Sequence, residues 1–175
     1  MESLFELLKT RRSIRNYLPK AVEKDKINKI TQAALMAPAS KRSNPWEFIV
    51  VENKPTLSKL SECRSHGSQM LVDSPLAIVI IADKTKSDVW MEDASIAAII
   101  MQLQAQDLGL GSCWIQVYGR EYTESKTAEQ YILELLKIPD HYNVLCILSI
   151  GYKNEERKPF NTEKLAIEKI HFEIF

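Results

Sequence analysis

Apolar residues along the chain follow helical and strand periods in turn. Leu4, Leu7 and Leu8 sit behind Ser3-Leu4-Phe5-Glu6. That is capping-box spacing, in which the Ser and Glu side chains can satisfy free amides at a helix start, so a short first helix is expected to about Lys9. Ile27, Ile30, Ala33, Ala34 and Ala37 recur at helical spacing until Pro38 stops the pattern. An extended stretch, 13–19, precedes this second helix, and a polar loop, 39–44, follows it.

Phe48-Ile49-Val50-Val51, 77–81 and 144–150 are short, β-branched runs and read as buried central strands of a helix-covered sheet. Residues 92–108 are apolar nearly all round before Gly109 and Gly111 end them, so this helix should be buried on several sides, which hints at a dimer core. A further helix is expected over about 125–137, before Pro139. The tail 152–163 is polar. Ile170, Phe172 and Ile174 alternate as a final strand would, with no hairpin partner next to it in sequence.

Composition narrows the class. A length of 175 residues suits a single domain over 1–175. Lys plus Arg and Asp plus Glu each total 23, so no overall field favours nucleic acid or an anionic membrane, and any basic site must be local. Cys63, Cys113 and Cys146 leave one thiol over in any disulfide scheme and lack metal-ligand spacing, which points to a reducing, cytoplasmic setting. Acidic residues stand where a signal peptide needs a basic segment, and the longest uncharged run, 94–106, is too short to span a bilayer. His66, His141 and His171 are far apart in sequence, and no metal is expected.

The chemistry concentrates in Arg11-Arg12-Ser13-Ile14-Arg15. Alternation in an extended segment would place Arg11, Ser13 and Arg15 on one face, with Arg12 and Ile14 on the other. Guanidinium groups bind phosphate through paired hydrogen bonds and a serine hydroxyl adds a donor, so this face suits a phosphomonoester; a solvated, salt-bridged surface is the other reading. Pro38-Ala39-Ser40-Lys41-Arg42-Ser43-Asn44-Pro45-Trp46 combines a helix stop, small residues that admit a ligand, and an Asn amide that both donates and accepts. Gly109-x-Gly111 follows a helix rather than a strand, so it reads as a helix terminator. Cys113, beside Trp114, reads as core, and Trp90 and Trp114 as packing surface.

Taken together, R-R-S-I-R, P-A-S-x-x-S-N-P-W-E-F, Glu92-Asp93 opening the apolar helix, Gly109-Leu110-Gly111-Ser112-Cys113-Trp114-Ile115 closing it, and Ile150-Gly151-Tyr152 before a basic tail resemble the nitroreductase family in order and spacing. The resemblance implies an α+β fold with a central, mostly antiparallel sheet flanked by helices, in an intertwined homodimer that exchanges its C-terminal strand. It implies FMN at the dimer interface, with Arg11, Arg12, Ser13 and Arg15 at its phosphate and ribityl groups. Pro38, Ala39, Ser40 and Asn44 would reach over from the partner chain, backbone near Ile115 and Gln116 would meet the isoalloxazine ring, and Lys158, with Arg157, would return to the phosphate. Two departures stand out: many relatives carry a Gly shortly after the Trp-Ile pair, where this chain has Gln116-Val117, and the segment 66–69 lacks the Asn and Lys of larger relatives.

The activity implied is transfer of a hydride from NADH or NADPH to the flavin, then reduction of a nitroaromatic, quinone or similar acceptor in the same slot, a ping-pong cycle in which no catalytic side chain is required. A nicotinamide that binds transiently over a flavin needs no Rossmann unit, and the chain has no such fingerprint. Two other readings remain open at this level: a flavin-binding redox sensor or FMN store without turnover, and a phosphate-ligand module unrelated to flavin.

Overall fold

The computed structural model describes residues 3–175. Helix α1 (Leu4–Thr10) starts at Ser3, whose Oγ accepts from the Glu6 amide at 3.2 Å. Helix α2 (Lys24–Leu35) buries Ile27, Ile30, Ala33 and Ala34, the face that their spacing predicts. Strand β1 (Trp46–Val51), helix α3 (Lys54–Ser61), strand β2 (Leu76–Asp83), helix α4 (Trp90–Asp107) and strand β3 (Gly111–Gln116) follow. A small ribbon of β4 (Glu121–Thr123) and β5 (Lys126–Thr127) leads to helix α5 (Ala128–Leu136) and to β6 (Tyr142–Gly151).

The four long strands lie in the order β1-β2-β6-β3 with every neighbouring pair antiparallel. Both faces are covered. Ile78, Ile80, Leu148 and Ile150 pack with Ile30, Ala34, Ala97 and Met101 of α2 and α4, whereas Val79, Ile81 and Ile147 pack with Leu57, Leu60 and Ile132 of α3 and α5. This is why β2 and β6 are continuous apolar runs rather than alternating ones: successive side chains enter different cores, and neither core is wet.

One boundary changes, and two features are left open by a single chain. The last long helix starts at Ala128, not near Ser125, because Lys126–Thr127 pairs with β4 and Thr127 forms a capping box with Gln130. Helix α4 buries Ala94, Ala97, Ala98, Met101 and Ala105, but Ile96 and Ile99 are each 38% exposed on its other side. The C-terminal strand does not form within the chain. The tail makes short 3-10 turns at Thr162–Lys164 and Ile167–Lys169, and Phe172, Ile174 and Phe175 stand exposed. A strand needs a partner's ladder of amides and carbonyls, and the tail meets none among the described residues. None of the described helices is long and apolar enough to cross a membrane.

Residues 13–18 form a strap across the end of the sheet. The Ile14 amide donates to the Ser112 carbonyl at 3.0 Å, and the Leu18 amide to the Tyr152 carbonyl at 2.9 Å. Ser13 and Tyr17 make single bridges to Ser112 and Lys153. Ile14 and Tyr17 are buried beneath the strap, and the Tyr17 hydroxyl lies 2.6 Å from the Ile14 carbonyl oxygen and 2.8 Å from Ser149 Oγ. Burial pushes the Tyr17 phenol well above its ordinary pKa.

Candidate functional site

The strap begins where α1 ends. Arg11 is the C-cap residue of α1 and already extended (φ −62°, ψ 120°), so the chain leaves the helix with its donors at the surface. A cavity of about 250 Å³ opens there, lined by Arg11, Arg12, Ser13, Arg15, Arg157 and Phe160. Simple alternation would have turned Arg12 away with Ile14; only Ile14 turns inward. Arg12 joins the others with its guanidinium over the Phe160 ring, 4.2 Å from the centroid. Phe160 is held in turn by its amide, which donates to the Lys9 carbonyl at 3.0 Å.

Four guanidinium groups in one small cavity repel one another. Burial, and then the charge of Arg12, lower the pKa of Arg11. The carboxylate at this cluster is Glu155. Its Oε1 accepts from the Arg15 amide at 2.6 Å and the Asn16 amide at 3.1 Å, and its Oε2 pairs with Arg157 Nη2 at 2.6 Å. Against a desolvation that would raise it, those amides and Arg157 hold Glu155 below the ordinary carboxylate range. Among the described residues the lining of this cavity is four arginines, Ser13 and Phe160, an excess of positive donors of the kind that suits a phosphate dianion. Cys113 lies under the same strap. Burial raises its thiol against the opposing pull of Arg15 and Ser13, and it is 2% exposed, which agrees with its reading as core.

The loop 38–44 lies elsewhere in the chain: none of Pro38, Ala39, Ser40 and Asn44 lines the arginine cavity. Asp93, buried in the first turn of α4, pins it by accepting from the Ser40 amide at 2.8 Å and facing the Ser43 hydroxyl at 3.5 Å, while Ser87 donates to the same carboxylate at 2.8 Å. Lys41, Arg42 and Asn44 all have left-handed backbone (φ 52°, 59° and 42°), a concentration of strained conformation that the Asp93 anchor sustains.

At the far end of β3, Ile115 is buried and Gln116 is tied down. Its carbonyl accepts from Arg64 Nη1 at 2.9 Å, its Oε1 from the Trp114 indole at 2.9 Å, and its Nε2 donates to the Tyr118 carbonyl at 3.0 Å. Lys158 is exposed and does not line the cavity; Arg157 does. Sequence reasoning passed over Arg64, Glu155 and Phe160. Each sits in a polar stretch with no periodicity, and only the folded chain shows what it touches. Asp93 had one signal, its place in the acidic pair that opens the apolar helix.

Four arginines and a serine gather at the end of an antiparallel sheet in a three-layer α+β fold, a donor set whose chemistry suits an anionic group. More particularly, the model of the Nitroreductase family matches residues 8–66 and 64–152, and the chain belongs to that family. It is 38% identical to an Archaeoglobus fulgidus protein provisionally named NADH dehydrogenase/NAD(P)H nitroreductase, over 99% of each chain. A similarly named protein of Methanothermobacter thermautotrophicus is 35% identical over 95% of this chain and 87% of that one. Among solved structures, an FMN-dependent nitroreductase from Clostridium difficile superposes with a TM-score of 0.97 at 55% identity, covering 98% of this chain and all of that one.

Proposed function

We propose that this protein is an FMN-dependent oxidoreductase that uses NADH or NADPH to reduce nitroaromatic, quinone or similar acceptors by a ping-pong cycle. The observation that carries the reading is the convergence of Arg11, Arg12, Ser13, Arg15 and Arg157 on one cavity whose charge Glu155 only partly offsets. That donor set fits the FMN phosphate, and the 55% identical neighbour is an FMN-dependent enzyme. When bound, FMN supplies the redox chemistry, accepting electrons from the nicotinamide and passing them to the acceptor.

The chain's own residues bind and orient. The arginines and Ser13 fix the phosphate end, with Arg157 as the contributor from the tail and Lys158 on the exposed stretch beside it. Backbone near Ile115 and Gln116 is assigned to the isoalloxazine ring. The bonds that Gln116 accepts from Arg64 and Trp114 and donates to Tyr118 hold that strand end in place, so Gln116 serves as a rigid wall in the Gln116-Val117 segment, where many relatives have a glycine.

The site is completed by a second copy in this reading. Pro38, Ala39, Ser40 and Asn44 stand apart from the arginine cavity of their own chain. The apolar sides of α1 and α4 and the C-terminal residues are exposed, and among the described residues β1 pairs only with β2. All three support a homodimer in which the tail finds its strand partner on the other subunit. The three free, buried cysteines suit a cytoplasmic protein.

Anaerobic mixing with NADH or NADPH tests the activity. Prompt bleaching of bound flavin followed by reoxidation with a quinone is expected; a flavin that stays oxidised would instead favour a sensor or store. Light scattering of the flavin-loaded protein should give twice the chain mass of 20.1 kDa.

A further inference from the structure

An anion beside a phosphate site needs explaining, because its charge opposes the ligand. Glu155 is such an anion, and its two oxygens are divided between two tasks. Oε1 takes the amides of Arg15 and Asn16, and Oε2 takes Arg157. Just before it, the Asn154 amide donates to the Asn16 carbonyl at 3.0 Å, so the strap and the start of the tail are already paired where Glu155 projects. Arg157, by contrast, sits in a run of exposed polar residues with its side chain 49% exposed. Without Glu155 it would be a free rotor over the cavity, and ordering it on a ligand would cost side-chain entropy.

We propose that Glu155 is a positioning residue of the phosphate site: it locks the Arg15 turn of the strap and pre-aims Arg157 into the arginine cavity, so that the tail closes the site before ligand arrives. The inference rests on the reading of that cavity as the FMN phosphate site. Only an ionised carboxylate can do both tasks, since it accepts on both oxygens. A glutamine keeps one acceptor for the strap amides and turns an NH₂ toward a guanidinium. Glu155→Gln therefore separates holding the strap from aiming Arg157.

The test compares FMN with riboflavin, which lacks the phosphate, in binding titrations of the full-length protein and of the E155Q, R157A, E155Q/R157A and R11A variants. Glu155→Gln should weaken FMN about five- to tenfold, a partial loss of a charge-assisted contact, and leave riboflavin unchanged. In the Arg157→Ala background the same change should alter FMN affinity by less than about twofold, because the two residues act as one unit. Unchanged or tighter FMN binding in E155Q, an equal loss for riboflavin, or additive effects in the double variant would each overturn the role. Glu155→Asp, which keeps the charge one methylene shorter, should give a smaller FMN-selective loss and carries the test if E155Q does not fold. Arg11→Ala separates the two levels: if it fails to weaken FMN relative to riboflavin, the phosphate reading falls, whereas a selective loss there with none in E155Q removes only the role of Glu155.

Discussion

Gly111 and Gly151 face each other across β3 and β6, and each is the point where the strap lies directly on the sheet. A Cβ at Gly111 would stand 2.7 Å from Ile14 Cβ; one at Gly151 would stand 2.7 Å from Pro75 Cδ and 2.9 Å from Tyr17 Cδ1. Ile14 Cβ cannot swing aside without moving the strap backbone. Gly111→Ala should therefore destabilise the fold by about 1–3 kcal/mol, as overpacking does, and loosen flavin by displacing Ser13 and Arg15. Thermal melts and the flavin content of the purified variant check both effects.

Arg11 is partly buried and carries a charge that burial and Arg12 disfavour, so an anion in the cavity relieves it. Arg11→Ala should cost about 1.5–3 kcal/mol of FMN affinity, the range for hydrogen bonds to charged groups. Flavin fluorescence titration measures this, and full retention would mean the phosphate lies elsewhere.

Asp93 holds the strained loop to α4 through Ser40 and Ser43, and Ser87 donates to the same carboxylate. Asp93→Ala leaves the Ser40 amide and the Ser87 hydroxyl without their acceptor and should lower stability by about 1–3 kcal/mol. Urea unfolding reads the loss directly. In the dimer proposed here the variant should also release FMN faster, because the loop that reaches the flavin comes from the other copy.

Acid should weaken the fold through carboxylates at the strap end of the sheet. Glu23 accepts from the Tyr152 hydroxyl, which lowers its pKa from 4.5 to about 2, and Glu155 is lowered as well. A carboxyl whose folded pKa is depressed contributes stability that is complete above its ordinary value, and the contribution falls away as pH drops toward the folded one. Denaturation midpoints should thus decline between about pH 4.5 and pH 2, with a shallower decline in Glu23→Gln.

Cys63, Cys113 and Cys146 are all buried and burial raises each thiol, so none presents a thiolate. Iodoacetamide should leave all three unmodified in the native protein by intact-mass measurement and label all three in urea. Rapid native labelling of Cys113 would show that the strap lifts from β3.

Much of this was legible in one dimension. The runs at 48–51, 77–81 and 144–150 became the three adjacent strands β1, β2 and β6; β2 and β6, buried on both faces, have almost only apolar positions to display, and β1 was marked by its β-branched residues. Helices α1, α2 and α4 followed from caps, periodicity and the Pro38 and Gly109 stops. The donors Arg11, Ser13 and Arg15 could be placed on one face because they lie within a single extended segment, where geometry depends on the local chain alone.

The tertiary structure decided the rest. Arg12 joined the cavity through a ring 148 positions away, and Glu155 reached the strap amides across 140 and 139 positions. Arg157 rather than Lys158 faces the cavity, and Arg64 closes on Gln116 from a segment without pattern. The C-terminal alternation is the converse case: the pattern of a strand is present, but a strand exists only where another backbone offers its hydrogen bonds, and none of the described residues does. Periodicity is written by which side of an element meets the core, so the sequence by itself determined most of the long elements and the Arg11 to Arg15 part of the basic site. Which charges meet, and in what geometry, depends on long-range closure of the chain, which leaves no period to read.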